Sequence, residues 1–273
     1  MSGQRLVGLR VVVTRPRHRS EELCFLLEEE GADVLALPML ELEPPSDARG
    51  LHAAAETLGR FTWVAFSSAA GVEALAEAAR TAGTAAALGR LKVAVVGAAT
   101  ARAARAAGLQ VTLEAMGGTG AALGTELAPR LEAADMVLLP AAEHGRPELE
   151  AALEEGTSLS SPEPSVDREV ALGRAGPTLT RVAAYRSTPL GVADGVWADL
   201  RARPPAAVLF ASPRTAEAFV DAGGRAVLAQ SCAVAIGATT ATALRALGFP
   251  AAGVAERPVA ADLVEAAVRA IRG

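Results

Sequence analysis

The stretch VVGAATARAARAAG at residues 95–108 occurs a second time, without a gap, as AIGATTATALRALG at residues 235–248. Eight of the fourteen aligned positions are identical. Each copy has the pattern of a strand end, a turn of small residues and an Ala-rich helix that stops at a glycine. A strand–turn–helix unit that occurs twice predicts two related α/β domains in one chain.

Two further pairs of segments extend this repeat. FTWVAFSSAAGVEALAEA (61–78) matches PAAVLFASPRTAEAFVDA (205–222). A weaker pair, VVVTRPRHRSEELCFLLEEEG (11–31) and MVLLPAAEHGRPELEAALEEG (136–156), aligns with a slip of one residue. We name the weak pair A, the second pair B and the opening pair C, so the units run A, B, C, A, B, C. The repeat alone leaves open which A unit shares a domain with which B and C units.

Continuous apolar runs of strand length alternate with helix-like segments along most of the chain. Leu9–Thr14, Trp63–Phe66, Leu91–Val96 and Met136–Leu139 are largely apolar rather than alternating. That pattern is typical of parallel strands covered on both faces. We therefore predict the α/β class, with two related parallel-sheet domains of flavodoxin-like or Rossmann-like type. Thr157–Pro177, rich in Ser, Pro, Gly and charge, breaks the pattern, and we interpret it as a surface insertion.

Short turns of small residues follow the strand in both C units. We predict turns at residues 97–100 and 237–240, and a helix over residues 101–107 after the first of them. Such turns let a carboxylate approach the backbone amides of a helix start, where each exposed site contributes about 0.3–1 kcal/mol. These turns are therefore candidate anion-binding sites.

The residues that follow each strand are the candidates for ligand binding. The carboxyl ends of parallel strands meet at one edge of a sheet, and two similar halves suggest a ligand cleft between them. Arginine suits carboxylates, and hydroxyl groups are hydrogen-bond donors. The candidates are Arg15, Ser68, Gly97, Thr100, Ser212, Arg214, Gly237, Thr239 and Thr240. A second interpretation stays open and is compatible with the first: the two serines, Thr100 and Thr240 cap their own helices, and Arg15 is a solvated surface arginine.

Composition narrows the possible functions. The net charge of −5 argues against nucleic acid as a partner, because phosphate binding needs a basic face. Cys24 and Cys232 form neither a disulfide framework nor a metal-binding spacing, which fits a reducing cytoplasm. The segment MSGQRLVGLR lacks the apolar core of a signal peptide, and no run of about 18 apolar residues predicts a membrane span. We expect a cytoplasmic protein without nucleic-acid or membrane partners.

The sequence indicates neither a nucleotide site nor a metal site. Met116–Gly120 resembles a dinucleotide-binding fingerprint, but Leu123 stands where the third glycine belongs. His18, His52 and His144 are scattered, without metal-binding spacing. A nicotinamide enzyme is therefore disfavoured.

Four features taken together resemble the uroporphyrinogen-III synthase family. They are VVVTRP (11–16), the F-x-S turns at Phe66 and Phe210, VAAYRSTP (182–189) and AIGATTATALRALGFPAAGVAERPVAADLVEAAV (235–268). The ordered set carries the resemblance, since none of these motifs is specific by itself. It covers nearly the whole chain except the proposed insertion.

The resemblance implies two α/β domains joined by a two-stranded linker. Residues 1–37 with 190–273 would form the first domain, and residues 43–181 the second. Residues 38–42 and 182–189 would then be the crossing linkers. The prolines that flank both crossing segments agree with extended chain.

The resemblance also implies an activity. The family closes hydroxymethylbilane, a linear tetrapyrrole, into uroporphyrinogen III, with loss of water and inversion of the last ring through a spiro intermediate. It uses no cofactor and no metal. The substrate carries many carboxylates, so a chain of net charge −5 must bind it locally rather than by its overall field. The implied partner is this substrate, with a transient contact to hydroxymethylbilane synthase, and the protein is expected to be a monomer.

Tyr185, the single tyrosine of the chain, lies where the family has its hinge tyrosine. A phenol is a hydrogen-bond donor at neutral pH, so Tyr185 could assist departure of the hydroxyl group as water or orient the ring to be inverted. The alternative is an amphipathic residue that packs between strands. Arg146 matches a family arginine at a helix start, and its alternative role is to cap that helix.

One different class of function stays open on the sequence alone. A bilobal small-molecule sensor or solute receptor without catalysis would share both the repeat and the cleft. The chain shows no signal peptide and no DNA-binding segment, which favours the enzyme.

Overall fold

The computed structural model describes residues 4–16, 20–145, 147–156, 168–171 and 176–273. The strands are β1 (Arg10–Val13), β2 (Asp33–Ala36), β3 (Leu40–Glu43), β4 (Trp63–Phe66), β5 (Lys92–Val95), β6 (Val111–Glu114), β7 (Met136–Ala142), β8 (Arg168–Ala171), β9 (Thr178–Pro189), β10 (Ala207–Phe210), β11 (Cys232–Ala235) and β12 (Gly253–Val254). The α-helices are α1 (Glu21–Glu29), α2 (Arg49–Glu56), α3 (Ala69–Thr81), α4 (Ala85–Leu88), α5 (Ala98–Ala106), α6 (Gly120–Leu127), α7 (Glu148–Gly156), α8 (Asp194–Ala202), α9 (Pro213–Phe219), α10 (Arg225–Leu228), α11 (Ala238–Ala246) and α12 (Ala260–Arg272).

The chain divides into two compact units. The first unit contains Met1–Glu41 and Thr188–Gly273, and the second contains Leu42–Ser187. Each unit is built on its own mainly parallel sheet. The predicted α/β class with two parallel-sheet domains is therefore confirmed.

The sheet of the first unit has the strand order β2-β1-β10-β11-β12, and its described ladders are parallel. Counted along the chain, this order is 2-1-3-4-5, which is the flavodoxin-like arrangement. Val11 on β1 pairs with Ala207 on β10 and with Val34 on β2. The sheet therefore has its topological switch point between β1 and β10, where ligands of such folds bind at the carboxyl ends.

The described sheet of the second unit has the strand order β3-β9-β7-β4-β5-β6, with β8 antiparallel to β9. The ladders that join β9, β7, β4, β5 and β6 are parallel. Trp63 on β4 pairs with Val137 on β7 and with Lys92 on β5. The switch point of this sheet therefore lies between β7 and β4.

The five parallel strands of the second unit are a cyclic permutation of those of the first. Counted along the chain, their sheet order from β9 to β6 is 5-4-1-2-3. Strands β7, β9 and β4 take the places that β1, β2 and β10 take in the first unit. In the first compact unit, the A segment thus precedes the B and C segments along the chain. In the second compact unit, the A segment follows them. This pairing resolves the question that the sequence repeat left open.

Each sheet separates two hydrophobic cores, because neighbouring residues of a strand point to opposite faces. In the first unit, Val12 packs with α8, α9 and α11, whereas Val11 packs with α1 and α12. In the second unit, Val64 packs with α2, α3 and α5, whereas Trp63 packs with α6 and α7. The near-continuous apolar runs in the sequence follow from this burial on both sides.

The helices of both C units begin earlier than the sequence predicted. Helix α5 starts at Ala98 and α11 at Ala238, so Gly97 and Gly237 are the N-cap residues. The predicted turns at 97–100 and 237–240 are therefore wrong, since their last three residues already form helix. Alanine has the highest helix propensity and is the first helical residue in both segments, and the glycine before it serves as the N-cap.

Strand β8 is one of the strands that the sequence did not predict. Strand β8 lies within the segment 157–177, and its backbone pairs antiparallel with β9. Residues 168–171 of the segment that we interpret as a surface insertion thus form a regular strand. Most of its other residues lie outside the described part of the chain.

Strand β7 runs to Ala142, three residues beyond its predicted end at Leu139. A proline inside a strand normally marks an end or an edge, because proline has no N–H for the ladder. Strand β7 pairs with β4 through Val137 and Leu138, and its ladder with β9 continues beyond Pro140. At Pro140 the ladder on the β9 side continues, so the strand does not end at the proline.

Candidate active site

Strand β4 ends at the switch point of the second sheet, and helix α3 follows at once. Ser68 is the N-cap of α3, and its Oγ accepts a hydrogen bond from the backbone N–H of Gly71 at 3.2 Å. Serine is favoured here because its hydroxyl satisfies one of the amides that a helix start leaves unpaired. The N-cap interpretation of Ser68 is confirmed, and the same hydroxyl faces a second partner, Tyr185.

Gly71 lets helix α3 begin very close to the end of β7. A Cβ atom on Gly71 would lie 2.6 Å from the carbonyl oxygen of Pro140. Such a contact is too short for a real side chain, so a larger residue would force the backbone to move. The glycine thereby fixes how near the capped helix start lies to the switch point.

Tyr185 stands on β9 directly after a β-bulge. Ala141 on β7 pairs with Ala183, and Ala142 pairs with Tyr185, so Ala184 is the extra residue on β9. Side chains alternate between the faces of a strand, and one extra residue turns the following side chain to the other face. Tyr185 accordingly packs against the same hydrophobic core as Ala184.

This bulge brings the phenol of Tyr185 to Ser68. Tyr185 Oη lies 3.0 Å from Ser68 Oγ, across a sequence separation of 117 residues. Both side chains are half-buried. The structure thus brings together two of the residues that the sequence indicated separately.

A polar cluster holds the backbone around Tyr185. The backbone N–H of Glu143 donates to the carbonyl oxygen of Tyr185 at 2.8 Å. The Glu143 carboxylate accepts bonds from the backbone N–H and the hydroxyl of Ser46 at 3.1 and 3.2 Å. The bond from the Ser46 amide is the main reason why the pKa of Glu143 lies below its usual value. Arg186 pairs with Glu43 at 3.1 Å, so β9 is tied to the segments that follow β3 and β7.

A more buried ion pair joins β9 to α7. Arg181 Nε lies 3.1 Å from Glu150 Oε1, and the two side chains are only 12% and 15% exposed. The Arg181 guanidinium also donates to the carbonyl oxygen of Ala142 at the end of β7. Burial raises the pKa of the Glu150 carboxyl, and the nearby Arg181 opposes that rise. Sequence reasoning missed this pair, because no motif links the two residues.

The matching edge of the first unit is built differently. Ser212 caps α9 in a capping box with Thr215: Ser212 Oγ accepts from the backbone N–H of Thr215, and Thr215 Oγ1 accepts from the backbone N–H of Ser212, both at 3.2 Å. Arg214 is the second residue of α9, and Arg15 lies two residues beyond β1. All of these residues stand after β1 or β10, and their role in substrate binding stays a prediction.

The candidates of the two C units fall into two groups. Gly97 and Gly237 are N-caps, and Thr239 is exposed at the start of α11. Thr100 and Thr240 lie in the first helical turn and are only 4% and 2% exposed. The N-cap interpretation of these two threonines is therefore wrong, and their binding role stays a prediction.

Several other features bear on the kind of site. Among the described residues, no group of three His, Cys, Asp or Glu side chains is placed to hold a metal ion. No helix in the described part of the chain has the length and apolarity to cross a membrane. Gly124, in the middle of α6, serves packing, since a Cβ on it would lie 2.6 Å from the Cβ of Ala152 on α7. The prediction for Arg146 lies outside the described residues.

These observations define a class of protein. It is an α/β protein with two related parallel sheets of permuted strand order, and its second unit carries a Ser–Tyr pair at the carboxyl end of the sheet. A family model described as "Uroporphyrinogen-III synthase HemD" matches residues 21–265 of the chain. The chain belongs to the uroporphyrinogen-III synthase family.

Curated relatives match over shorter stretches. A uroporphyrinogen-III synthase of Synechococcus elongatus is 35% identical over 75 residues, which are 28% of this chain and 28% of that protein. The porphyrin biosynthesis protein HemD of Ruminiclostridium josui is 30% identical over 137 residues, which are 49% of this chain and 27% of that protein. The chain thus spans less than a third of the length of these two relatives.

A solved structure resembles the whole fold. A mutant uroporphyrinogen III synthase of Thermus thermophilus matches with a TM-score of 0.64 and 22% identity. The match covers 97% of this chain and 99% of that one. At this identity the likeness concerns the fold.

Proposed function

We propose that this protein is a uroporphyrinogen-III synthase. It closes hydroxymethylbilane into uroporphyrinogen III, with loss of water and inversion of the last ring. The observation that supports this most is the Tyr185–Ser68 pair, with its oxygen atoms 3.0 Å apart. The pair stands at the carboxyl end of a parallel sheet, in a chain whose residues 21–265 match the family.

The reaction depends more on control of the substrate's conformation than on activation of a bond. Loss of the hydroxyl group as water leaves a cation that reacts readily, and closure without steering gives the uninverted isomer. A protein gains most here by holding a flexible substrate in the one productive conformation. The half-buried Tyr185 would act on the ring to be inverted, and the polar cluster around β9 would keep its position.

Substrate carboxylates would bind at helix starts. The net charge of −5 means that the overall field repels a polyanion, so binding has to be local. Helices α3 and α5 start directly after β4 and β5, and a helix start carries partial positive charge and free amides. Ser68, Ser212, Gly97 and Gly237 occupy such starts, and the arginines Arg15 and Arg214 add donors nearby.

Isomer analysis tests the proposal. The purified full chain is mixed with hydroxymethylbilane freshly made by its synthase, and the product is oxidised and separated by isomer. We expect mostly the type III porphyrin, against mostly type I in a control without protein. Mostly type I porphyrin in the presence of the purified chain would overturn the proposal and favour the bilobal binding protein.

The proposal includes a cytoplasmic monomer that contacts hydroxymethylbilane synthase transiently. Cys24 and Cys232 are both free thiols, which supports a reducing compartment. Sedimentation of the purified chain, alone and mixed with that synthase, tests the other two points. A stable dimer would contradict the expected monomer. If neither sedimentation nor substrate transfer changes in the mixture, the transient contact is contradicted.

A further inference from the structure

The hydroxyl groups of Ser68 and Tyr185 share one hydrogen bond, and the direction of that bond decides what the pair offers to a ligand. A serine hydroxyl has one hydrogen to donate and two lone pairs to accept with. The backbone N–H of Gly71 can only donate, and it occupies one lone pair of Ser68 Oγ at 3.2 Å. One lone pair and one hydrogen of Ser68 remain for Tyr185 and for a ligand.

A phenol is a stronger acid than an aliphatic alcohol, and it is correspondingly the better donor of the two. The bond of 3.0 Å therefore runs from Tyr185 Oη to the remaining lone pair of Ser68 Oγ. Both acceptor positions of Ser68 are then filled, so its own hydrogen must point outward. The oxygen of Tyr185 has given its hydrogen away and presents lone pairs.

We propose that Ser68 is a positioning residue that fixes Tyr185 as a hydrogen-bond acceptor toward the substrate. The pair then offers an acceptor, Tyr185 Oη, beside a donor, Ser68 Oγ–H. This pattern is complementary to a pyrrole ring, which combines a ring N–H with carboxylate side chains. The assignment rests on the proposed function: the ring N–H binds Tyr185, the carboxylate binds Ser68, and Tyr185 orients the ring rather than acting as an acid.

The first unit supplies a matched control within the same chain. Ser212 is the B-unit equivalent of Ser68, and it caps α9 with the same bond to a backbone N–H. Its hydroxyl lies 3.4 Å from Thr215 Oγ1 and so has a partner in its own helix. Replacing Ser212 by alanine therefore removes an equivalent cap without touching the tyrosine.

Raman spectroscopy can read the direction of the bond in the full chain without substrate. The intensity ratio of the tyrosine doublet reports whether a phenol donates or accepts, and the single tyrosine makes the signal unambiguous. We expect a donor-type ratio in the wild type, the same ratio in Ser212→Ala, and a shift toward a water-exposed phenol in Ser68→Ala. An acceptor-type ratio in the wild type, or no shift in Ser68→Ala, would overturn the proposal.

Two further variants keep the test valid if Ser68→Ala folds poorly. Ser68→Thr retains the cap, the acceptor and the outward hydrogen, so we expect the wild-type Raman ratio. Ser68→Asp retains the cap and the acceptor but has no hydrogen to donate, so the donor-type ratio should persist while kcat/KM falls about 10-fold or more. A water-type ratio in Ser68→Asp would contradict the assignment.

The pH profile separates an orienting phenol from an acid. We expect Tyr185→Phe to lower kcat/KM and to raise the share of type I product, with a pH profile parallel to that of the wild type. Loss of the alkaline limb in Tyr185→Phe would instead identify an acid and overturn the proposal. Type I product from the wild type together with the expected Raman pattern would refute the proposed function and support the bond direction.

Discussion

The two units share their strand arrangement and their repeated segments, yet they differ at one helix start. In the first unit, the Ser212 hydroxyl is held within a capping box by Thr215. In the second, Gly71 replaces that threonine, and the Ser68 hydroxyl meets Tyr185 from a different strand. The repeated framework thus positions equivalent serines, and the two units differ in the residues that surround those serines.

The same contrast holds one strand further along the sheet. Leu139 on β7 pairs with Arg181 on β9, whereas its equivalent Val13 on β1 pairs with Ala36 on β2. The second unit therefore carries a buried ion pair where the first has an alanine. Features specific to the second unit cluster on β9, which carries the candidate catalytic tyrosine.

The largest effect is expected from breaking the buried ion pair. Arg181→Met leaves the Glu150 carboxylate buried without its partner and removes a donor from the carbonyl of Ala142, so we expect a loss of about 3 kcal/mol or more in unfolding free energy. Glu150→Gln keeps an acceptor for Arg181 and should change it by less than about 1 kcal/mol.

Urea unfolding at neutral pH can follow each unit separately. Trp63 lies in the second unit and Trp197 in the first. In a Trp197→Phe background, the fluorescence of Trp63 reports the second unit. Equal losses of unfolding free energy in Arg181→Met and Glu150→Gln would contradict the expected difference between the two variants.

The same pair predicts a pH dependence. Because burial raises the folded-state pKa of Glu150 above its ordinary value of 4.5, the folded protein binds this proton more tightly than the unfolded chain does. The stabilisation by this group is therefore fully present below that value and is lost as the pH rises through the folded pKa. We expect the wild type to lose stability relative to Glu150→Gln as the pH rises across this range. A difference between the two that stays constant with pH would rule this out.

A smaller effect is expected at the helix start itself. Gly71→Ala places a Cβ 2.6 Å from the carbonyl oxygen of Pro140, and overpacking of this kind costs about 1–3 kcal/mol. Thr215→Ala, at the equivalent place in the first unit, removes the capping box and a buried methyl group and should cost about 1 kcal/mol. The two tryptophans again report the two units. A neutral Gly71→Ala would show that the close approach of α3 and β7 is not needed.

The smallest effect concerns a feature that the units share. Thr100 and Thr240 are equivalent and buried, and substrate binding was predicted for both hydroxyls from the sequence. If each donates one hydrogen bond, Thr100→Val and Thr240→Val should each raise KM about 10-fold, equivalent to about 1.4 kcal/mol. Circular dichroism serves as the check on folding. Unchanged KM in both would remove these threonines from the site.

Much of the fold could be predicted from local pattern. The strand Trp63–Phe66 has the predicted bounds, because a continuous apolar run ends at two serines. The early start of α5 was not predicted, because Thr100 was considered as the N-cap. The N-cap is Gly97, three residues earlier.

The contacts of the site could be predicted far less well. Ser68 and Tyr185 were each found from the sequence, but their hydrogen bond depends on a bulge at Ala184 that turns the tyrosine to the other face. A bulge is a property of strand pairing, and nothing in VAAYRSTP marks it. The Arg181–Glu150 pair was missed for a similar reason, since it depends on α7 packing against β9.

The permuted strand order also has a consequence for how the chain folds. In the first unit Val11 pairs with Ala207, a separation of 196 residues, whereas in the second Trp63 pairs with Val137, a separation of 74. The entropy of loop closure rises with loop length, and non-local pairing slows folding. During synthesis, the second unit is complete before β10 exists, so it can fold first and shorten the loop that separates β1 from β10. Strands β1 and β2 can complete their sheet only after β10 has been synthesised. The first unit therefore forms while the second unit is already folded within the same chain.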